Sequence, residues 1–126
     1  MFHRMHSPET VRRYTAIYRA REAARKAADA SRAADLLARL PAIASVLQAE
    51  FGAHRVGFFG SLARGGFSDG SDLDLYVDLV RVGGYFHALD RVCRMAGLSV
   101  DLVEYESAPA SLRATIDRDG RDVHAG

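Results

Sequence analysis

Asp72 and Asp74 stand two positions apart in the run Ser71-Asp72-Leu73-Asp74-Leu75-Tyr76-Val77. On an extended chain that spacing puts both carboxylates on one face and the leucines on the other. Two neighbouring carboxylates repel each other, and burying them near one another is costly without a cation between them. A hard, oxygen-liganded divalent ion of the Mg2+ type, shared with a phosphate, suits such a pair. A dozen residues upstream the apolar run Val56-Gly57-Phe58-Phe59 stops abruptly at Gly60-Ser61, which reads as a buried strand ending in a tight turn. Small residues there leave backbone N–H groups uncovered at the start of a short helical segment, a setting that favours a phosphate. Either half alone is commonplace: a Gly-Ser turn often follows a strand, and Asp-x-Asp is ordinarily a solvated strand edge. Together they point to phosphoryl-group chemistry.

The full pattern Gly60-Ser61-x-Ala63-Arg64-Gly65-x5-Ser71-Asp72-x-Asp74-Leu75 resembles the signature of the DNA polymerase β-type nucleotidyltransferase superfamily. Among its branches it most resembles the small, single-domain minimal nucleotidyltransferases. These pair with a separate helical protein of the HEPN family, often as antitoxin and toxin. The resemblance implies that Gly60 and Ser61 hold a triphosphate and that Ser71 steadies the intervening loop beside the nucleotide. Arg64 matches a basic position of the minimal branch, where it meets phosphate or pairs with a nearby acid. Nucleotidyl transfer needs the attacking hydroxyl to lose its proton and the phosphate charge to be neutralised, work commonly done by two metals. Holding two Mg2+ ions takes about three carboxylates. Asp72 and Asp74 supply two, and Asp101 on the following strand stands where the family has its third, with Glu104 and Glu106 as substitutes. The implied reaction transfers a nucleoside monophosphate, AMP from ATP or another NTP, to a hydroxyl such as a tyrosine on the partner protein.

These residues need a scaffold, and its elements can be read in order. Residues 1–6 are expected to fray. Ser7-Pro8-Glu9 is a helix start, with a capping hydroxyl, proline at the first position and an acid near the positive end of the dipole. From there to Leu40 the chain has no further Gly or Pro and is rich in Ala and Arg, good helix formers. Val11, Tyr14, Ile17, Tyr18, Ala33, Leu36, Leu37 and Leu40 form a diluted apolar stripe. Pro41 is expected to break or kink this helix and open a second one over residues 42–51, closed by Gly52. Strands are expected over residues 55–60, up to Asp78-Leu79, and over 99–104, where alternation sets Asp101 and Val103 on one face. Helices are expected from Gly83-Gly84 to Ala96, ended by Gly97, and over 110–119 after Pro109, with a short terminal strand at 121–124. The alternation indicates an α/β fold; the resemblance adds that a small mixed sheet flanked by helices carries the site at its edge, with a long N-terminal helix. The division is a basic helical extension, residues 1–40, and a nucleotidyltransferase domain, residues 41–126.

Composition sets the outer bounds. With 126 residues, 48% of them hydrophobic, the chain makes one domain or a domain with an appendage. The single cysteine, Cys93, cannot pair internally, and its apolar neighbours mark a buried thiol. No apolar run reaches the ~18 residues of a membrane span, and the Arg-rich N-terminus lacks a signal-peptide core, so a soluble cytoplasmic protein is expected. His3, His6, His54, His87 and His124 show no metal-ligand pattern beyond the His3/His6 pair. Residues 1–40 carry nine Lys/Arg against four acids, and the remainder eight against twelve. That asymmetry leaves three uses for the basic helix: a solvated face packed by one edge, a docking surface, or an RNA-binding arm. No aromatic interleaving supports base stacking. Two further functions therefore stand beside the enzyme: a stoichiometric antitoxin or adaptor working through the N-terminal helix, and an RNA-binding or RNA-modifying protein. The latter predicts affinity that falls steeply with salt. Larger relatives carry an additional domain for their acceptor, and 126 residues have no room for one.

Overall fold

The computed structural model describes residues 7–126; residues 1–6, and with them His3 and His6, lie outside it. Ser7 caps helix α1 (Pro8–Phe51), its hydroxyl accepting the Thr10 N–H at 3.0 Å. The chain then passes through strand β1 (Val56–Phe59), helix α2 (Gly60–Arg64), strand β2 (Leu73–Val77), helix α3 (Tyr85–Ala96), strand β3 (Val100–Glu104), a 3-10 turn, helix α4 (Ala110–Asp119) and strand β4 (Arg121–Asp122).

One expectation is corrected. Pro41 neither ends α1 nor opens a second helix; a single helix of 44 residues runs through it. An internal proline removes one backbone hydrogen bond and costs about 3 kcal/mol. Here Leu36, Leu40, Ile43, Ala44 and Leu47, a continuous stripe on both sides of the proline, are all buried against the sheet. Burying a leucine-sized side chain contributes about 1.5–3 kcal/mol, so the stripe outweighs the proline. The C-terminus also lies against this turn. The Gly126 N–H donates to the Pro41 carbonyl at 3.2 Å, and the Ser45 hydroxyl donates to the Gly126 carbonyl at 2.7 Å. The helix ends at Gly52, whose φ of +79° is the left-handed region that glycine enters without strain.

The four strands lie in the order β3-β2-β1-β4. β1 pairs antiparallel with β2 and β4, whereas β2 and β3 run parallel, as expected when a helix crosses between them. Alternation sorts the side chains. Val56, Phe58, Leu73, Leu75, Val77, Val100 and Leu102 face α1 and α3 and form one buried core. Phe59 and Tyr76 face the other way and pack under α4, on Ile116 and, at the edge, Leu112. Two helices, α1 and α3, on one side and a single short helix on the other leave part of the second face uncovered. Asp74 lies there.

Candidate active site

β2 delivers Asp72 and Asp74 to that open face, and β3 delivers Asp101 beside them. In the parallel register Asp74 is opposite Asp101 and Leu73 opposite Val100. Parallel neighbours in register point their side chains the same way, so the sheet sets Asp101 next to Asp74 although 27 positions separate them. Asp72 and Asp101 are exposed; Asp74 is partly buried. Burial raises the Asp74 carboxyl above its ordinary range, and the charges of Asp101 and Asp72 push it further the same way, opposed only by Arg64. Two acids therefore act electrostatically on the Asp74 carboxylate. Glu104 is drawn elsewhere, its carboxylate accepting the Val80 N–H at 3.2 Å. Glu106 sits in the 3-10 turn beyond the strand.

The turn that closes the site is built for contact with Asp74. Gly60 has φ +71°, and a Cβ at that position would stand 2.0 Å from Asp74 Oδ2. Glycine is thus needed twice, for the backbone angle and for the space its missing side chain gives the carboxylate. α2 begins directly at this glycine, and its N-cap, Phe59, makes no side-chain capping bond. Its first-turn N–H groups have no intrahelical acceptors and lie beside the carboxylates. Ser61 is the next residue, half-buried. α2 ends at Gly65 with φ +84°.

The connection to β2 is held from within. The Ser71 hydroxyl accepts the Ser68 N–H at 3.1 Å and the Ser71 N–H donates to the Ser68 carbonyl at 3.0 Å. These two bonds tie the loop back on itself at Ser71. Arg64 ends α2 with its guanidinium 3.8 Å from the Asp119 carboxylate, and it also favours the charged form of Asp74. Of the two roles open to it, pairing with an acid is the one visible here. Asp119 gave no sign in the sequence, because it lies 55 positions from Arg64 and in no motif.

The support behind the site was missed as well. The Tyr76 ring lies across Gly57 on β1, where a Cβ would come within 2.0 Å of Tyr76 Cζ. Its hydroxyl donates to Asp122 at 2.6 Å, and the Arg55 guanidinium stacks 5.3 Å from its ring centroid. Burial, then the Asp122 hydrogen bond, holds the phenol far above its ordinary range, so it stays protonated and donates. The small residue at Gly57 inside an apolar strand was the available signal for a ring crossing there.

The donor set suits a hard cation. Three carboxylates offer only oxygen, and the mutual repulsion that lifts Asp74 is relieved by a positive ion. Among the described residues no three His, Cys, Asp or Glu side chains close into a ready ligand group. Mg2+ does not require one, since it keeps several waters and takes phosphate oxygens alongside one or two carboxylates. Among the described residues, no helix is long and apolar enough to cross a membrane.

The family described as Polymerase beta, Nucleotidyltransferase matches residues 42–125. A solved structure assigned as a minimal nucleotidyltransferase is 32% identical, with a TM-score of 0.62 over 72% of this chain and 95% of that one. A toxin-antitoxin structure with AMP-PNP is 20% identical, with a TM-score of 0.57 over 70% of this chain and 73% of that one. A toxin-antitoxin MntA-HpeT variant, in which two aspartates two positions apart are changed to glutamate, is 18% identical, with a TM-score of 0.57 over 68% of this chain and 71% of that one. No curated protein matches the chain.

Proposed function

Because the chain belongs to the polymerase beta nucleotidyltransferase family, we propose that it transfers a nucleoside monophosphate, AMP from ATP, to a hydroxyl on a partner protein and acts as the antitoxin of a toxin-antitoxin pair. The observation that carries this reading is the parallel register of Asp74 with Asp101 beside Asp72, set against the Gly60 turn. In the reaction the acceptor oxygen bonds to the α-phosphorus, the bond to pyrophosphate breaks, and the hydroxyl proton leaves. Asp101, the exposed member on the outer strand, receives that proton. The N–H groups around Gly60 and Ser61, with Arg64, hold the triphosphate, and Ser71 keeps the loop in place. Asp72, Asp74 and Asp101 would hold Mg2+, which supplies neutralisation of phosphate charge and acidifies the attacking hydroxyl. The toxin-antitoxin pairing and the ATP donor draw on the relatives solved as toxin-antitoxin structures, one with AMP-PNP. A HEPN-type helical partner and a cytoplasmic location belong to the same reading.

Incubating the chain with the protein encoded beside it, Mg2+ and each NTP, followed by intact mass, tests the proposal. A gain of one or more nucleotide masses on the partner, absent with Asp72→Asn, is expected. A stable complex with no mass gain would leave a stoichiometric binder instead. One observation favours that second reading: every residue from 11 to 20 of α1 is exposed, including Val11 at 52%, Ile17 at 43% and Tyr18 at 65%. The division into extension and domain is best drawn within α1, because Leu36 and Leu40 already belong to the core. Removing residues 1–24 spares that core, and it should weaken partner binding at least tenfold, a loss of about 1.4 kcal/mol, while leaving nucleotide affinity unchanged.

A further inference from the structure

The C-terminal end of α4 is registered against the strand that carries the candidate carboxylates. Tyr76 and Asp74 share one face of β2, two positions apart. The Tyr76 ring packs on Gly120, where a Cβ would stand 2.9 Å from Tyr76 Cε1 and 2.4 Å from the Ile116 carbonyl. Only glycine lets the chain turn there from α4 into β4 under the ring. Asp122, two residues on, receives the Tyr76 hydroxyl. Asp119 immediately precedes this anchored turn, with its side chain 15% exposed. Its carboxylate takes Arg118 through two nitrogens at 3.1 Å and faces Arg64 at 3.8 Å. Arg64 ends the five-residue helix whose first residue, Gly60, lies directly against the Asp74 carboxylate. The path from Asp74 through Tyr76, Gly120, Asp119 and Arg64 closes on itself.

Building on the proposed function, we infer that Asp119 is a positioning residue that holds Arg64 at the rim of the site for the triphosphate of the incoming nucleotide. Without Asp119, the strongest acids facing Arg64 are the carboxylates of the site, and a guanidinium drawn onto them blocks the place of the cation and leaves the phosphate. With Asp119, α2 and α4 together hold the arginine between the two acids, near enough to move to a phosphate oxygen when one arrives. An arginine poised this way loses little rotamer freedom on binding. Arg118, 70% exposed, pairs with Asp119 at the surface, and an aspartate stays charged at neutral pH without such a partner.

The test is a double-mutant cycle on the full chain, read as affinity for ATP with Mg2+ by calorimetry and repeated with inorganic tripolyphosphate. Arg64→Ala should weaken both ligands about tenfold and Asp119→Asn about threefold to fivefold, and the double variant should be no weaker than Arg64→Ala alone, the signature of coupled residues. Asp119→Glu should restore most of the affinity, and Arg118→Ala should leave it unchanged. Wild-type affinity in Asp119→Asn, or a loss that adds fully to that of Arg64→Ala, overturns the inference while the nucleotidyltransferase reading stands. A wild-type chain that binds none of the four NTPs overturns both. If Asp119→Asn does not fold, as judged by its melting curve, the Asp119→Glu variant decides: a tenfold loss there, matching Arg64→Ala, would sink the idea.

Discussion

The two ends of β2 carry the same residue type with opposite electrostatics. Asp78, just past the C-terminal end, accepts the His54 N–H at 3.0 Å and the Arg55 N–H at 3.2 Å and lies 3.3 Å from the His54 ring nitrogen. Burial works to raise its carboxyl, yet the backbone N–H groups of Arg55 and His54 overcome that and hold it below the usual range. Asp74, at the other end, is also partly buried but faces two more acids, and its carboxyl is pushed up. One carboxylate has its charge answered by the fold itself. The other keeps the burial and repulsion that raise it, with Arg64 alone working against them. A structural acid brings its own donors, whereas an acid kept for chemistry is held where donors are missing.

The largest effect that would sharpen this contrast is at Asp74. Asp74→Asn should lower transfer at least ~1,000-fold, more than 4 kcal/mol of barrier, yet raise the melting temperature of the metal-free chain by roughly 2–4 °C through the lost repulsion. Mg2+ with ATP should raise the melting temperature of the wild type and not of this variant. A variant both inactive and less stable would break the comparison, since it would make Asp74 a structural acid.

Next comes the other end. Asp78→Ala leaves two backbone donors without their acceptor and should cost about 1–3 kcal/mol in denaturant unfolding, with transfer rates unaltered well below the melting temperature. The smallest effect is in pH. The folded Asp78 carboxyl titrates below the unfolded value of about 3.9, so its stabilisation is complete above that value. It disappears as the pH falls through the folded one. The wild type should therefore lose stability faster than Asp78→Ala in melts taken as the pH falls below about 4. Parallel curves would show that Asp78 is not held by its donors.

Much of this arrangement could be read from residue order. The Asp-x-Asp alternation, the Gly-Ser stop and the alternation around Asp101 are local patterns, and local patterns fix strand faces. Pro109, Gly97 and Gly52 bounded their helices for the same reason. Pro41 misled because its cost is local while the burial that overrides it, from Leu36 to Leu47, depends on a sheet not yet folded. Asp119 and Asp122 were silent because each matters only through a residue dozens of positions away, and the Tyr76 crossing left a single trace, the glycine at 57. The acids that would do chemistry were legible; the residues that hold their neighbours in place were not.

The length of α1 has a consequence for how the molecule meets others. A helix of 44 residues measures about 66 Å at 1.5 Å per residue, whereas a compact chain of this size has a radius of gyration of only about 14 Å. With Leu36 to Leu47 packed in the core and residues 11–20 exposed, the first part of the helix extends from the domain as a rod. The protein's capture radius for a passing macromolecule is set by the rod's tip, well outside the domain that holds the acids. For a partner that docks on this helix, as proposed, a first touch anywhere along it would keep the two bodies tethered while they reorient. The slow three-dimensional search for a small reactive patch then becomes a short search along one line.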